Sequence, residues 1–348
     1  MARRLRWSGG TAVHLHPPTV CTTGGPITSA VVNGLPRPTR DERGSADRAT
    51  LARRRLLQGG IGGLGLLTVG AFATACSSGG GDTTDEGVSA GPDETLTALF
   101  PRDVAYVAAG AASRLVYTIT DAEGVPALDI PEPMTFSVEL DGVTVGEPSE
   151  VAPRSDGVPR PYLPFYVTFP QAGLYDVYAT RGDVRLNSQV IVSEADKVMN
   201  PLVGGPLPSA STPTTSQSFD VSPICTRSVQ CPFHEDDLAT ALGTGRPIVV
   251  LLATPAYCRT AACGPILDLL VEEAAKLPDD VVVIHAEVYE NPKDVLDLND
   301  ALLAPLPSGF KMLFEPSLFV ADASNTIVAR GDIVVDRGEM AEMLALAR

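Results

Sequence analysis

The chain has 348 residues, is 44% hydrophobic and carries a formal net charge of −16. Residues 1–75 hold 10 of the 26 Lys and Arg but only 3 of the 42 Asp and Glu, which leaves 16 bases against 39 acids in the rest. So acidic a body argues against nucleic acid as a partner and against docking on anionic lipid by charge alone, while the length leaves room for two domains plus tails.

Residues 1–48 fit no export signal and are expected to be a structureless leader that precedes the true start of translation; no Met lies between Met1 and Met134, so that start is expected at a non-Met codon. Residues 49–76 are more informative. Arg53-Arg54-Arg55-Leu56-Leu57-Gln58 opens a Gly-rich apolar stretch that runs to Ala75. It resembles a twin-arginine export signal, with Arg53 and Arg54 as its arginine pair. Ala73-Thr74-Ala75-Cys76 resembles a bacterial lipobox, in which the Cys76 sulfur takes the lipid. About 20 apolar residues are also enough for a single membrane span, but the small residues before Cys76 favour the lipoprotein. The resemblance implies a body tethered to the cell membrane on its extracytoplasmic face. Residues 77–93 are Gly/Asp/Thr/Ser-rich and read as a flexible tether.

Residues 94–196 read as all-β. Met134-Thr135-Phe136-Ser137-Val138-Glu139-Leu140 alternates strictly, and Asp141-Gly142 follows as a hairpin turn. Further runs are Leu115–Ile119, Tyr166–Phe169, Leu174–Ala179 and Gln189–Val192. About seven short strands in ~100 residues suggest an Ig-like sandwich, with no catalytic constellation in it. Residues 197–220 are expected to be a linker, with Pro201, Pro206, Pro208 and Pro213 among Gly, Ser and Thr, semi-stiff and unable to bury a core.

Residues 221–348 read as α/β. A helix is expected over about Glu235–Leu242, a strand over 247–253, a helix over 263–277 and a strand over Val281–Tyr289. A helix over about Lys293–Leu303, strands Ser317–Ala321 and Ile327–Val335, and a helix over 337–347 complete the order. The result is a mixed sheet with helices on both faces.

Beyond Cys21 and Cys76, four cysteines remain: Cys225, Cys231, Cys258 and Cys263. An even number in an oxidising compartment suits disulfides. Three pairings are open, and the sequence-local one, Cys225–Cys231 with Cys258–Cys263, is the simplest. Cys258 and Cys263 sit where a buried strand meets a helix start, a place that stabilises a thiolate. Five residues of regular helix separate Cα atoms by roughly 8–9 Å, beyond the ~7 Å limit for a disulfide. With Pro265 suited to the first helical turn, Cys263 belongs at the cap and Cys258 in the loop before it, where a bridge is feasible.

The order strand, cysteine loop, helix over residues 232–348 resembles the thioredoxin fold. The matching segments are Arg246-Pro247-Ile248-Val249-Val250, Cys263-Gly264-Pro265, Val283–Asn291 and Glu315-Pro316-Ser317-Leu318-Phe319-Val320. The resemblance implies that Pro316 is the cis-proline facing the cysteines, and that the chain exchanges disulfides with a protein thiol or disulfide partner without an organic cofactor. The chain departs from the pattern too. Four residues separate the cysteines instead of two, the buried acid of thioredoxins falls at Leu251 or Leu252, and Tyr257 replaces the tryptophan. The cap position points to Cys263 as the attacking thiolate, whereas chain order in thioredoxins points to Cys258; the balance leans to Cys263.

Two further groupings are weighed. Cys225 and Cys231 are expected to form a structural disulfide pinning the linker; a metal reading with His234 lacks a fourth ligand. Sco-type copper chaperones, which share the fold, suggest Cys258, Cys263 and His285 as a copper set, although His285 lies within an apolar strand. Asp279, Asp280, Glu287 and Glu290 read as a solvated rim. The expected function is thiol–disulfide exchange in the cell envelope; the alternatives are a redox-inactive binding scaffold with structural disulfides and a copper-binding protein.

Overall fold

The computed structural model describes residues 94–102, 104–312 and 314–347. The leader, Arg53, Arg54, Cys76 and the tether lie outside the described residues. Among the described residues, no helix is long and apolar enough to cross a membrane.

The N-terminal half is two layers, one antiparallel and one mixed. One holds β1 (Thr95–Ala98), β3 (Ala112–Thr120) and β6 (Leu163–Thr168) in the order β1-β3-β6. The other runs β2-β8-β7-β4-β5, with β2 (Val107–Ala108), β4 (Met134–Leu140), β5 (Val143–Val151), β7 (Gly173–Arg181) and β8 (Val184–Ser193); its β2–β8 pair is parallel. In β4 the alternating sequence buries Met134, Phe136 and Val138 between the layers. Asp141 and Gly142 both adopt positive φ, as a two-residue hairpin requires.

The C-terminal half is a four-stranded sheet, β10-β9-β11-β12, comprising β9 (Ile248–Leu252), β10 (Val282–Ala286), β11 (Ser317–Ala321) and β12 (Ile327–Asp332). β9 and β10 are parallel, while β11 runs antiparallel to both β9 and β12. All five residues of β9 are buried because both faces are covered. Val249 and Leu251 pack with helices α2 (Cys263–Ala274) and α4 (Arg337–Leu344). Ile248, Val250 and Leu252 pack with α1 (Leu238–Ala241) and with Leu306 and Phe310 at α3 (Pro305–Gly309). The described chain as a whole is mostly sheet with few, short helices, so the α/β expectation is too helical.

Two expected elements differ. In place of a helix over Lys293–Leu303 there are two 3-10 turns, Pro292–Asp294 and Leu298–Asp300. The Asp297 side chain takes the Asn299 N–H at 2.9 Å, a local bond that competes with helix. The linker also does more than span. Gly204 N–H donates to Ile327 O and Leu207 N–H to Asn325 O, each at 2.8 Å, and Leu207 is buried in the C-terminal core. Its backbone lies along the edge of β12, which lets an otherwise polar segment bury an apolar side chain.

A buried ionic joint ties the two halves together. Arg114 on β3 donates to both Glu339 carboxylate oxygens, at 2.7 and 2.6 Å, and to the carbonyls of Asp332 and Val334. Tyr162 and Tyr166 hydroxyls donate to the same carboxylate. Burial pushes the Glu339 carboxyl up, but Arg114 and the two hydroxyls outweigh it and hold it below the usual carboxylate range. A cavity of about 440 Å³ opens beside this joint, lined by Tyr106, Arg114, Tyr166, Arg330 and Met343 among others, and no cysteine lines it.

Candidate functional site

β9 delivers the chain into the Thr254–Ala262 loop, and α2 begins at Cys263. Cys258 and Cys263 form a disulfide with Cα atoms 6.1 Å apart. The residue before α2, Ala262, supplies no side-chain acceptor, so the first-turn N–H groups of this helix are left for an anion at Cys263. Cys263 is fully buried, whereas Cys258 is partly exposed beside Thr260 Oγ1 at 3.3 Å. That difference runs against Cys263 as the sulfur that an incoming partner meets first.

Leu251 and Leu252 are apolar and fully buried, so β9 supplies no acid. An acid comes instead from the segment just before β11, the strand beside β9. Glu315 Oε2 lies 3.5 Å from Cys263 Sγ and accepts the Thr254 N–H at 2.7 Å. Burial pushes the Glu315 carboxyl up to about 7, against the pull of hydrogen bonds from Thr254. Glu315 was not singled out from sequence as a site residue. Its signal was an acid placed between Phe314 and the apolar run of β11.

The Glu315–Pro316 peptide is cis, and Pro316 is buried. The Pro316 carbonyl already accepts from Ile333 N–H at 2.8 Å.

The second cysteine cluster differs from expectation. Cys225 and Cys231 are free thiols, not the expected disulfide. The segment that carries them is held by other bonds. Thr226 donates its N–H and its hydroxyl to the Glu287 carboxylate at 2.5 and 3.0 Å. Ser222 N–H donates to Glu290 O at 2.8 Å, and His285 N–H donates to Phe233 O at 3.1 Å. Glu287 is thus buried, not part of a solvated rim, and burial raises its carboxyl to about 8.

His285 on β10 is brought to this second cluster and not to Cys258 and Cys263 as the copper set required. Its side chain faces the segment that Phe233 pins along the edge of β10. Cys231 Sγ lies 3.3 Å from His234 Nε2 and 3.4 Å from His285 Nδ1. The two ring nitrogens are 3.4 Å apart. Together with Cys225 these four atoms lie within 4.8 Å of one another. The thiol of Cys225 is pulled down by a hydrogen bond from the Cys231 thiol and by both histidines, against burial, while the same hydrogen bond and burial push Cys231 up.

No protein-family model matches the chain, and no curated protein matches it in sequence. Solved structures do align with it. The titin M10–obscurin-like 1 Ig complex is 20% identical, with 29% of this chain and 93% of that chain covered and a TM-score of 0.18. Titin M4 is 14% identical, covering 30% and 96%, also at 0.18. A thiol:disulfide interchange protein of the thioredoxin family from Chlorobium tepidum TLS is 16% identical, covering 41% and 94%, at 0.26.

Proposed function

We propose that this protein is a thiol–disulfide oxidoreductase of the cell envelope, held at the membrane by lipid on Cys76 and exchanging disulfides through Cys258 and Cys263. The observation that carries the reading is a disulfide at a helix start whose buried sulfur has a carboxylate beside it, with the other sulfur partly open to solvent. Exchange needs a thiolate, access and a suitable potential; the helix start beside Cys263 favours the first, and the partly exposed Cys258 gives the second.

In the reducing direction, the Cys258 thiolate attacks one sulfur of a partner disulfide. That S–S bond breaks, the second partner sulfur leaves as a thiolate, and a mixed disulfide to Cys258 remains. Cys263 then passes its proton to the Glu315 carboxylate and attacks Cys258 Sγ. The partner's remaining sulfur departs as a thiolate, and the Cys258–Cys263 bond is restored. Two electrons pass from the protein to its partner. The oxidising direction is the same sequence reversed, with a partner dithiol as reductant. The fit is to a polypeptide partner. Leu296 and Leu302 are exposed on the segment that Arg259 ties to the cysteine loop through Asn299 Oδ1 at 2.6 Å.

Trapping tests the reading. Cys263→Ser should accumulate a mixed disulfide at Cys258 with a disulfide-bonded protein substrate, and Cys258→Ser should accumulate none. Unchanged exchange in both variants would show that exchange does not run through Cys258 and Cys263 and would overturn the reading; no exchange even in the unaltered chain would leave it a scaffold with a structural bridge.

A further inference from the structure

We propose that Cys225, Cys231, His234 and His285 form a tetrahedral zinc site that holds the segment before α1 against β10. This site is independent of the chemistry at Cys258 and Cys263. Sequence alone gave three of the ligands; β10 brings the fourth from 51 residues beyond His234.

The spacings are those of ligands around one ion. With Zn–N about 2.0–2.1 Å and Zn–S about 2.3 Å, a tetrahedral site separates two nitrogens by about 3.3–3.4 Å and a nitrogen from a sulfur by about 3.6 Å. The structure has 3.4 Å between His234 Nε2 and His285 Nδ1, and 3.3 and 3.4 Å from these nitrogens to Cys231 Sγ. The tautomer is suited as well. His285 Nε2 lies 2.9 Å from the Ala253 carbonyl, which can only accept, so that nitrogen carries the proton and Nδ1 turns a lone pair into the cluster. Both rings are buried. Two inward-facing imidazole nitrogens cannot both donate to each other, and an ion shared with the thiolates satisfies both.

Charge selects the metal. Two thiolates balance a divalent ion, giving a neutral centre suited to burial, whereas a monovalent copper ion would leave a net negative charge there. Binding releases the two thiol protons to solvent. Around the centre stand Glu287, whose Oε1 is 3.9 Å from His285 Nε2, and Arg227, two residues beyond Cys225, which donates to Asp268 Oδ1 at 2.6 Å. The site also reaches the redox loop: Thr226, next to Cys225, accepts the Ala256 N–H at 3.1 Å, two residues before Cys258.

The full chain, equilibrated with zinc under thiol reductant and freed of excess metal, should retain about one zinc per molecule. His285→Ala and Cys225→Ser should lose it, and the Cys258→Ser/Cys263→Ser double variant should keep it. Because a ligand variant can fail to fold, the unaltered chain is also loaded with cobalt(II). The expected result is intense tetrahedral d–d bands with a sulfur-to-cobalt charge-transfer band, and Cys225 and Cys231 protected from alkylation until a chelator is added. Zinc lost only with Cys258 and Cys263, copper(I) retained in preference to zinc, or a Cys225–Cys231 disulfide with no cobalt spectrum after reduction would each overturn the proposal.

Discussion

Glu315 Oε2 sits 3.5 Å from the Sγ of Cys263, although the two residues are 52 positions apart. A carboxylate is therefore brought to the buried sulfur from the residues just before β11, where β9 offers only apolar side chains. In the proposed reaction this carboxylate takes the Cys263 proton.

Its raised affinity for protons sets the pH dependence. With Glu315 near 7, its base form grows as pH rises through that value, so the Cys263 attack should accelerate over the same range. Glu287 and Tyr289 share its field, and Thr254 is its hydrogen-bond donor. Glu315→Gln should slow release of the mixed disulfide about a hundredfold and erase the inflection. Stopped-flow release measured between pH 5 and 9 reads both effects.

The same carboxyl acts on stability with a definite sign. Unfolded, a glutamate ionises near 4.3; folded, Glu315 ionises near 7. Between these values the native state holds the extra proton, so the Glu315 contribution to stability should fall as pH rises from about 4.5 to about 7 and level off above, while Glu287, held near 8, carries the fall on to about 8. Glu315→Gln should flatten that slope in a series of melting temperatures. An unchanged slope would show that Glu315 is ionised in the folded protein throughout.

The joint between the halves should be sensitive to the loss of one partner. Arg114 and Glu339 are 4% and 0% exposed, and removing one member of such a pair leaves a buried charge uncompensated. Glu339→Gln or Arg114→Met should lower unfolding stability by about 3–5 kcal/mol, measured by urea denaturation of the full chain. In the unaltered protein the carboxyl is held low, so its stabilisation is present above the ordinary glutamate range and is lost as pH falls through its lowered value.

Leu207 tests whether the linker belongs to the core. It is 3% exposed and packs with Ile248, Phe319 and Ile327. Leu207→Ala should cost about 2–4 kcal/mol, whereas a merely spanning linker would show almost no change.

Local patterns were legible in the sequence. The alternation of Met134–Leu140 and the apolar runs of Ile248–Leu252 and Ser317–Ala321 mark strands β4, β9 and β11, and Pro265 places the start of α2. What depended on side-chain competition or distant pairing was not. Asp297 captures a backbone N–H and breaks an expected helix into turns. Pro305, Pro307 and Gly309, all poor helix formers, lie in the short helix α3, where Pro305 opens the first turn. Linker residues gain partners only once β12 is in place. Glu315 and His285 acquire roles from neighbours 52 and 54 positions away, a separation no local spacing reports.

The reduction potential of the Cys258–Cys263 pair tests the central claim most directly. The full chain would be equilibrated in graded thiol buffers and alkylated, and each cysteine read by mass spectrometry, so that Cys225 and Cys231 are followed separately. The account predicts a potential between about −120 and −270 mV, the range of exchange enzymes. A bridge that stays oxidised below about −300 mV would mark it as a structural staple and contradict the proposed function.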